Sequence, residues 1–216
     1  MPVKNFHYID LLIDRYPTLS ICRSEIVTAI ETIIETHRRG GKILICGNGG
    51  SAADAEHIVG ELAKSFVLPR IIPDTDKEKL SRLTGNLPEL LSAKLQCGLR
   101  AFALSGSSPL ATAIANDGDA MLVYAQMTYV YGQPGDVFLG ISTSGSSKNI
   151  VAALTVAKAF SLHTIGLTGS RLGSMDPLCE TLIKVPAIET FKIQEYHLPI
   201  YHAICLTIES EVFQEL

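Results

Sequence analysis

Hydroxyl side chains crowd one short stretch of the 216-residue chain, Ile141-Ser142-Thr143-Ser144-Gly145-Ser146-Ser147. Five of them fall within six residues around a single glycine, giving many O–H and N–H donors and no fixed positive charge. A strand-like run, Asp136 to Ile141, precedes this loop, and helical spacing begins at about 147. A phosphate monoester suits such a nest, since its oxygens can share the donors while the start of a helix favours its charge. The plainer alternative is a Ser/Thr-rich turn with an N-cap. A second loop, Cys46-Gly47-Asn48-Gly49-Gly50-Ser51-Ala52, also joins a strand-like run to a helix-like one. Its glycines let backbone N–H groups approach an anion closely. No Lys-Ser/Thr pair follows, so it is not a Walker loop. Gly47, Gly49 and Ala52 fit G-x-G-x-x-A, a weak pointer to a dinucleotide. The acidic residue such a site needs about twenty residues later would fall in an irregular stretch.

Proton-transfer or metal-binding groups stand on two helix-like stretches. His57 and Glu61 lie at i and i+4, on one face. At that spacing they can share a divalent metal, act as a proton-transfer pair, or simply hydrogen-bond on the surface. Near the C-terminus, Gln194, His197, His202 and Glu209 interrupt a run that otherwise offers Leu198, Ile200, Ile204, Leu206 and Ile208 to a core. Each histidine alone suits a core or an interface; together with Gln194 they point to function.

These groups need a frame. Apolar runs at 42–47, 101–104, 137–141, 164–167 and 181–185 have the length and composition of buried strands. Helical spacing at 24–39, 51–66, 108–115, 119–131, 147–160 and 190–214 separates them. The alternation predicts a parallel sheet covered by helices on both faces, with ligands beyond the carboxyl ends of its strands. From Val67 to Arg100 the rhythm breaks. Pro69, Pro73, a charged segment from Asp74 to Lys79 and a helical piece at 87–96 predict an insertion of short helices, serving as a lid, a specificity loop or an oligomer contact.

Hydrophobic residues make up 47% of the chain, enough for one full core, so a single domain over 1–216 is expected. The formal net charge of −4 gives no general footprint for nucleic acid. No apolar stretch has the length of a membrane span, and Lys4, Asp10, Asp14 and Arg15 break up any leader-like core near the start. Five scattered cysteines without a C-x-x-C pair predict reduced thiols and a cytoplasmic protein.

At its motifs the sequence resembles the sugar isomerase (SIS) family and, within it, the phosphoheptose isomerases. The carrying motifs are Cys-Gly-Asn-Gly-Gly-Ser (46–51), Asp54 with His57 and Glu61, Ala115-Asn116-Asp117, the serine loop at 141–147, Leu167-Thr168-Gly169, and Ile193-Gln194-Glu195-x-His197. They cover most of the chain outside 67–100. The resemblance implies a flavodoxin-like three-layer αβα fold with a five-stranded parallel sheet and a long C-terminal helix. It also implies a homotetramer with active sites at subunit interfaces. Substrate contacts would come from Asn48, Gly49, Ser51, Asp117, Ser142, Thr143, Ser144, Ser147 and Gln194. Glu61 and His202 match the family's acid/base pair, and His57, Glu61, Gln194 and His202 its ligands to one zinc ion per subunit. The implied reaction converts sedoheptulose 7-phosphate into D-glycero-D-manno-heptose 7-phosphate through an enediol. Where the family carries arginine after the catalytic glutamate, this chain has Lys64-Ser65-Phe66, so that either Lys64 or Arg70 takes its place or the substrate differs.

Gln194 and His202 are eight residues apart, roughly 12 Å along an unbroken helix and about 80° around it. The helix is therefore expected to start after Gln194, or the two ligands to come from different subunits. The alternative function is a non-catalytic family member, either a replication-initiator-associating regulator or a sugar-phosphate sensor. Such regulators lack the acid/base pair that Glu61 and His202 would form.

Overall fold

The five apolar runs form one all-parallel sheet in the computed structural model, which describes residues 3–213. The strands are β1 (Ile43–Gly47), β2 (Ala101–Ala103), β3 (Val137–Ser142), β4 (His163–Thr168) and β5 (Thr181–Lys184), in the order β2-β1-β3-β4-β5. Helices α1 (His7–Arg15), α2 (Arg23–Arg38), α3 (Gly50–Ala63) and α9 (Thr190–Phe213) cover one face. Helices α6 (Ser108–Asp117), α7 (Val123–Tyr131) and α8 (Lys148–Ala159) cover the other. Strand pleating assigns the side chains. Ile43, Ile45, Val137, Leu139, Ile141, Ile165 and Leu167 enter the first core, while Leu44, Cys46 and Phe138 enter the second. Strands buried on both faces explain why the sequence showed continuous apolar runs rather than alternation.

This strand order places a topological switch between β1 and β3, where ligands bind in open α/β sheets. The chain leaves β1 for α3 on one face and leaves β3 for α8 on the other, so the two loops of interest flank that crevice. Gly47 and Ile141 are register partners at its floor.

Three expectations change. Helix α9 begins at Thr190, ahead of Gln194, so the expected start beyond Gln194 is not found. It runs on through Pro199, since burial of Ile193, Ile200, Ile204 and Ile208 on the first core holds the helix despite one missing N–H. Helix α3 stops at Ala63 rather than 66, because Lys64 turns extended and the next N–H groups bond elsewhere. The 119–131 helix divides into a 3-10 turn (Ala120–Leu122), whose Met121 N–H is capped by Asp119, followed by α7. The 67–100 segment does contain short helices, α4 (Asp74–Ser81) and α5 (Asn86–Lys94). Its base is closed by an antiparallel bridge between Ile71 and Gln96 and by the Cys97 N–H bonding the Arg70 carbonyl at 2.8 Å.

Candidate active site

The glycine loop after β1 turns sharply into α3. Gly49 holds φ +56°, a left-handed conformation that favours glycine. A side chain on Gly50 would meet Gln194 Nε2 at 2.6 Å, so the bare glycine leaves that amide from α9 lying against the start of α3, and a larger residue would push it aside. Ser51 is buried, with its N–H on the Asn48 carbonyl at 3.0 Å. Tyr124 pins the loop from the second core, its hydroxyl donating to the Gly47 carbonyl at 2.7 Å.

The serine loop sits beside it. Gly145 has φ +65°. Ser142 and Ser147 hydroxyls meet at 3.0 Å, which commits one of their two protons and leaves the other for a ligand. Ser144 Oγ accepts the Ser146 N–H at 3.2 Å, and the Thr143 carbonyl accepts from Gly169 at 3.4 Å. Asn48 and Asn149 exchange amide hydrogen bonds of 2.9 and 2.8 Å, tying the glycine loop to the first turn of α8. Seven predicted contacts (Asn48, Gly49, Ser51, Ser142, Thr143, Ser144 and Ser147) thus frame one crevice at two helix starts, with Gln194 on its edge. Asp117 ends α6, exposed, and accepts from Asn116 Nδ2 at 3.0 Å; it lines the cleft between α6 and α7 with Ile114 and Gln126.

The second cluster lies farther along α3, where it runs beside α9. His57 Nε2 is 3.3 Å from Glu61 Oε1, and the rings of His57 and His202 stand edge to face with centroids 5.1 Å apart. Phe66 flanks His202 at 5.6 Å. His202 Nε2 is buried without a hydrogen-bond partner. Burial lowers the His202 pKa, the neighbouring His57 adds to this, and Glu61 opposes it, so the imidazole is held neutral near pH 7 and free to accept a proton. Sequence reasoning missed Tyr201, whose hydroxyl meets His57 Nδ1 at 3.0 Å and Asp54 Oδ1 at 3.2 Å. A tyrosine among apolar residues gives no sign that its hydroxyl faces another helix. Among the described residues, no three His, Cys, Asp or Glu side chains converge as a ready metal centre.

Of the two candidates for the family's basic residue, only Lys64 reaches this cluster, its Nζ 3.3 Å from Glu61 Oε2. Arg70 does not. Its side chain is fully buried against Glu209 at 2.8 Å and donates to the carbonyls of Leu62 and Glu61 at 2.7 and 2.8 Å. It cannot reach a ligand without abandoning that pair.

His197 has no exposure and neither ring nitrogen hydrogen-bonds, although the ring lies near the Thr168 carbonyl; burial pushes its pKa down to about 4.

About 16 Å of helix axis separate Gly50 from Glu61, at 1.5 Å per residue. Within one chain, therefore, the loops and the His57–Glu61–His202 cluster are neighbouring but separate features.

The SIS domain family model matches residues 8–80 and 92–169, leaving out only 81–91 in the middle of the helical excursion. Phosphoheptose isomerase of Roseiflexus sp. is 36% identical over 190 residues, covering 88% of this chain and 83% of that protein. The Aneurinibacillus thermoaerophilus phosphoheptose isomerase is 38% identical, with 88% and 85% covered. The solved structure of phosphoheptose isomerase from Neisseria gonorrhoeae superposes with a TM-score of 0.73 at 31% identity, covering 94% of this chain and 95% of that one.

Proposed function

We propose that this chain, which belongs to the SIS domain family in its phosphoheptose isomerase branch, interconverts sedoheptulose 7-phosphate and D-glycero-D-manno-heptose 7-phosphate. The observation that carries the reading is one cluster in which Glu61 lies 3.3 Å from His57, His57 packs edge to face on His202, and the Glu61 charge is felt by a His202 imidazole whose Nε2 has no protein partner. In the forward direction a base takes one proton from C1 while O2 gains one, giving the enediol. Returning a proton to C2 as O1 loses its own completes the aldose. Glu61 is assigned the carbon-bound proton and His202 the protons on the oxygens. The serine and glycine loops hold the phosphate, and binding energy gained there orients the distant carbons.

Three further parts of the reading are proposals. The first is zinc. Two imidazoles and a carboxylate are the donors zinc prefers, and the orphaned His202 Nε2 favours an added partner. His57, Glu61 and His202 would hold the ion. Gln194, packed at Gly50, would join from a second copy rather than from the helix that carries His202. When bound, such an ion stabilises developing enediolate charge as a Lewis acid.

The second is a homotetramer with sites at its interfaces. The groove between α1 and α9, lined by Tyr8, Leu11, Leu198, His202 and Leu206, opens the reacting cluster towards a neighbour. The third is a cytoplasmic setting, supported by five free cysteines. Among the described residues, no helix is long and apolar enough to cross a membrane.

The test is purified protein with sedoheptulose 7-phosphate, followed by NMR. An aldose signal that vanishes in Glu61→Gln supports the proposal. Phosphate binding without any turnover would favour the sensor instead.

A further inference from the structure

We infer that Lys64 and Gln96 are positioning residues that fix the Glu61 carboxylate, so that the far limb of the helical excursion helps to arrange the reacting cluster. Helix α3 ends at Ala63, and Lys64 leaves it extended, with φ −137° and ψ 175°. From there its Nζ turns back to donate to Glu61 Oε2 at 3.3 Å and to the Ser65 carbonyl at 3.2 Å. The N–H of the same serine donates to Gln96 Oε1 at 2.8 Å. A continuous line of contacts therefore runs from Gln96 through Ser65 and the Lys64 ammonium to Glu61. On the other side, His57 Nε2 lies 3.3 Å from Glu61 Oε1. Both carboxylate oxygens are engaged, and the group is held from two directions.

Gln96 has a fixed seat from which to act. Its backbone pairs with Ile71 across the antiparallel bridge. Three residues on, the Leu99 N–H donates to the Leu62 carbonyl at 2.9 Å. Between them, a Cβ on Gly98 would overlap the Ala63 carbonyl, so this limb lies directly on the last turn of α3. Arg70, on the other limb, takes the Leu62 and Glu61 carbonyls. The Lys64 side chain is 59% exposed, against 13% for Glu61. So exposed an ion pair adds little to stability. A catalytic group displaced by about 1 Å, however, can cost roughly a hundredfold in rate. Lys64 and Gln96 thus matter for placement, not for folding.

The effect on rate rests on the proposed function, whereas the placement of Glu61 can be seen without turnover, so the two fail separately. The experiment compares wild type, Lys64→Gln, Lys64→Arg, Gln96→Ala and the double variant Lys64→Gln with Gln96→Ala, all as purified. With sedoheptulose 7-phosphate, Lys64→Gln should lower kcat roughly tenfold to a hundredfold, with KM and the urea midpoint little changed. Lys64→Arg should recover most of that loss. Gln96→Ala should lower kcat by less, and the double variant should be no slower than Lys64→Gln alone, because Gln96 acts through Lys64. Crystal structures should show one Glu61 rotamer in the wild type and a displaced or divided side chain in Lys64→Gln. A Lys64→Gln structure with Glu61 in its wild-type place overturns the inference, whatever the activity. So do additive losses in the double variant, or a kcat loss matched by a lowered urea midpoint. A wild type without turnover would sink the proposed function and leave the crystal comparison to decide the placement.

Discussion

Glu209→Gln offers the sharpest test of how the reacting cluster is held. Both Arg70 and Glu209 are fully buried, and the Glu209 carboxylate accepts four hydrogen bonds. They come from Arg70 Nε at 2.8 Å and from the N–H groups of Phe66, Val67 and Leu68 at 2.8, 2.9 and 3.1 Å. Arg70 gives two further N–H groups to the Leu62 and Glu61 carbonyls of α3, and its guanidinium stacks 4.6 Å from the Phe213 ring centre. Replacing the carboxylate by an amide leaves a buried guanidinium unpaired, which costs about 3–5 kcal/mol. The amide NH2 also turns one donor against other donors, placing the loss towards the upper end. Urea unfolding at fixed protein concentration measures it as a lowered midpoint with an unchanged slope. Adding Arg70→Met should recover part of the loss, since no uncompensated charge then remains.

The same pair has a pH signature. Burial alone would raise the Glu209 pKa, but the three backbone N–H groups and Arg70 outweigh it and hold the carboxyl below its ordinary value. Its stabilising contribution is complete above the unfolded pKa, about 4.3, and disappears as pH falls through the lower folded value. Glu209→Gln should remove that limb. A midpoint loss under about 1 kcal/mol would refute the reasoning. So would an Arg70→Lys protein of wild-type stability with a raised KM, because that outcome belongs to an arginine that touches substrate.

Other consequences are quicker to state. Glu61→Gln and His202→Asn should each lower kcat by roughly a hundredfold to ten-thousandfold while calorimetry still detects phosphate ester binding. Replacing both Ser142 and Ser147 by Ala removes the one hydroxyl proton that the pair leaves for a dianion, worth about 1.5–3 kcal/mol, and should raise KM about tenfold or more. His197 stays neutral down to about pH 4 in the fold, whereas the unfolded ring gains a proton below about 6.5. Stability should therefore fall as pH drops across that window, by about 3 kcal/mol at most, and the acid limb should flatten in a folded His197→Gln protein.

The frame was legible because its strands are short, apolar and bounded by glycine or polar turns, and the two loops because their donors are contiguous. What failed to show depends on tertiary partners. Helix α3 ends early because Glu209, some 140 residues away in sequence, takes the next N–H groups. Arg70 looked available to a ligand because its ion pair forms only when α9 docks. Helix α1 went unnoticed since Lys4, Asp10, Asp14 and Arg15 masked a narrow apolar stripe, of which Ile9 and Leu12 enter the core. Tyr201 is the clearest case: its role is set by one hydroxyl, and no spacing rule reports where a hydroxyl points.

Within a single chain the chemistry is divided in two. The two donor-rich loops lie at the switch point of the sheet, and the carboxylate with its imidazoles lies more than two turns along α3. A sugar ester anchored at the first feature of one copy needs its reacting carbons beside a Glu61–His202 pair. Gln194 marks the same division, because the helix that carries His202 towards Glu61 carries Gln194 to the loop at Gly50. One long helix therefore serves both features and cannot bring them together within its own chain. On the proposed reading that division calls for a second copy, and the reading predicts that dilution to monomers abolishes turnover while each chain remains folded.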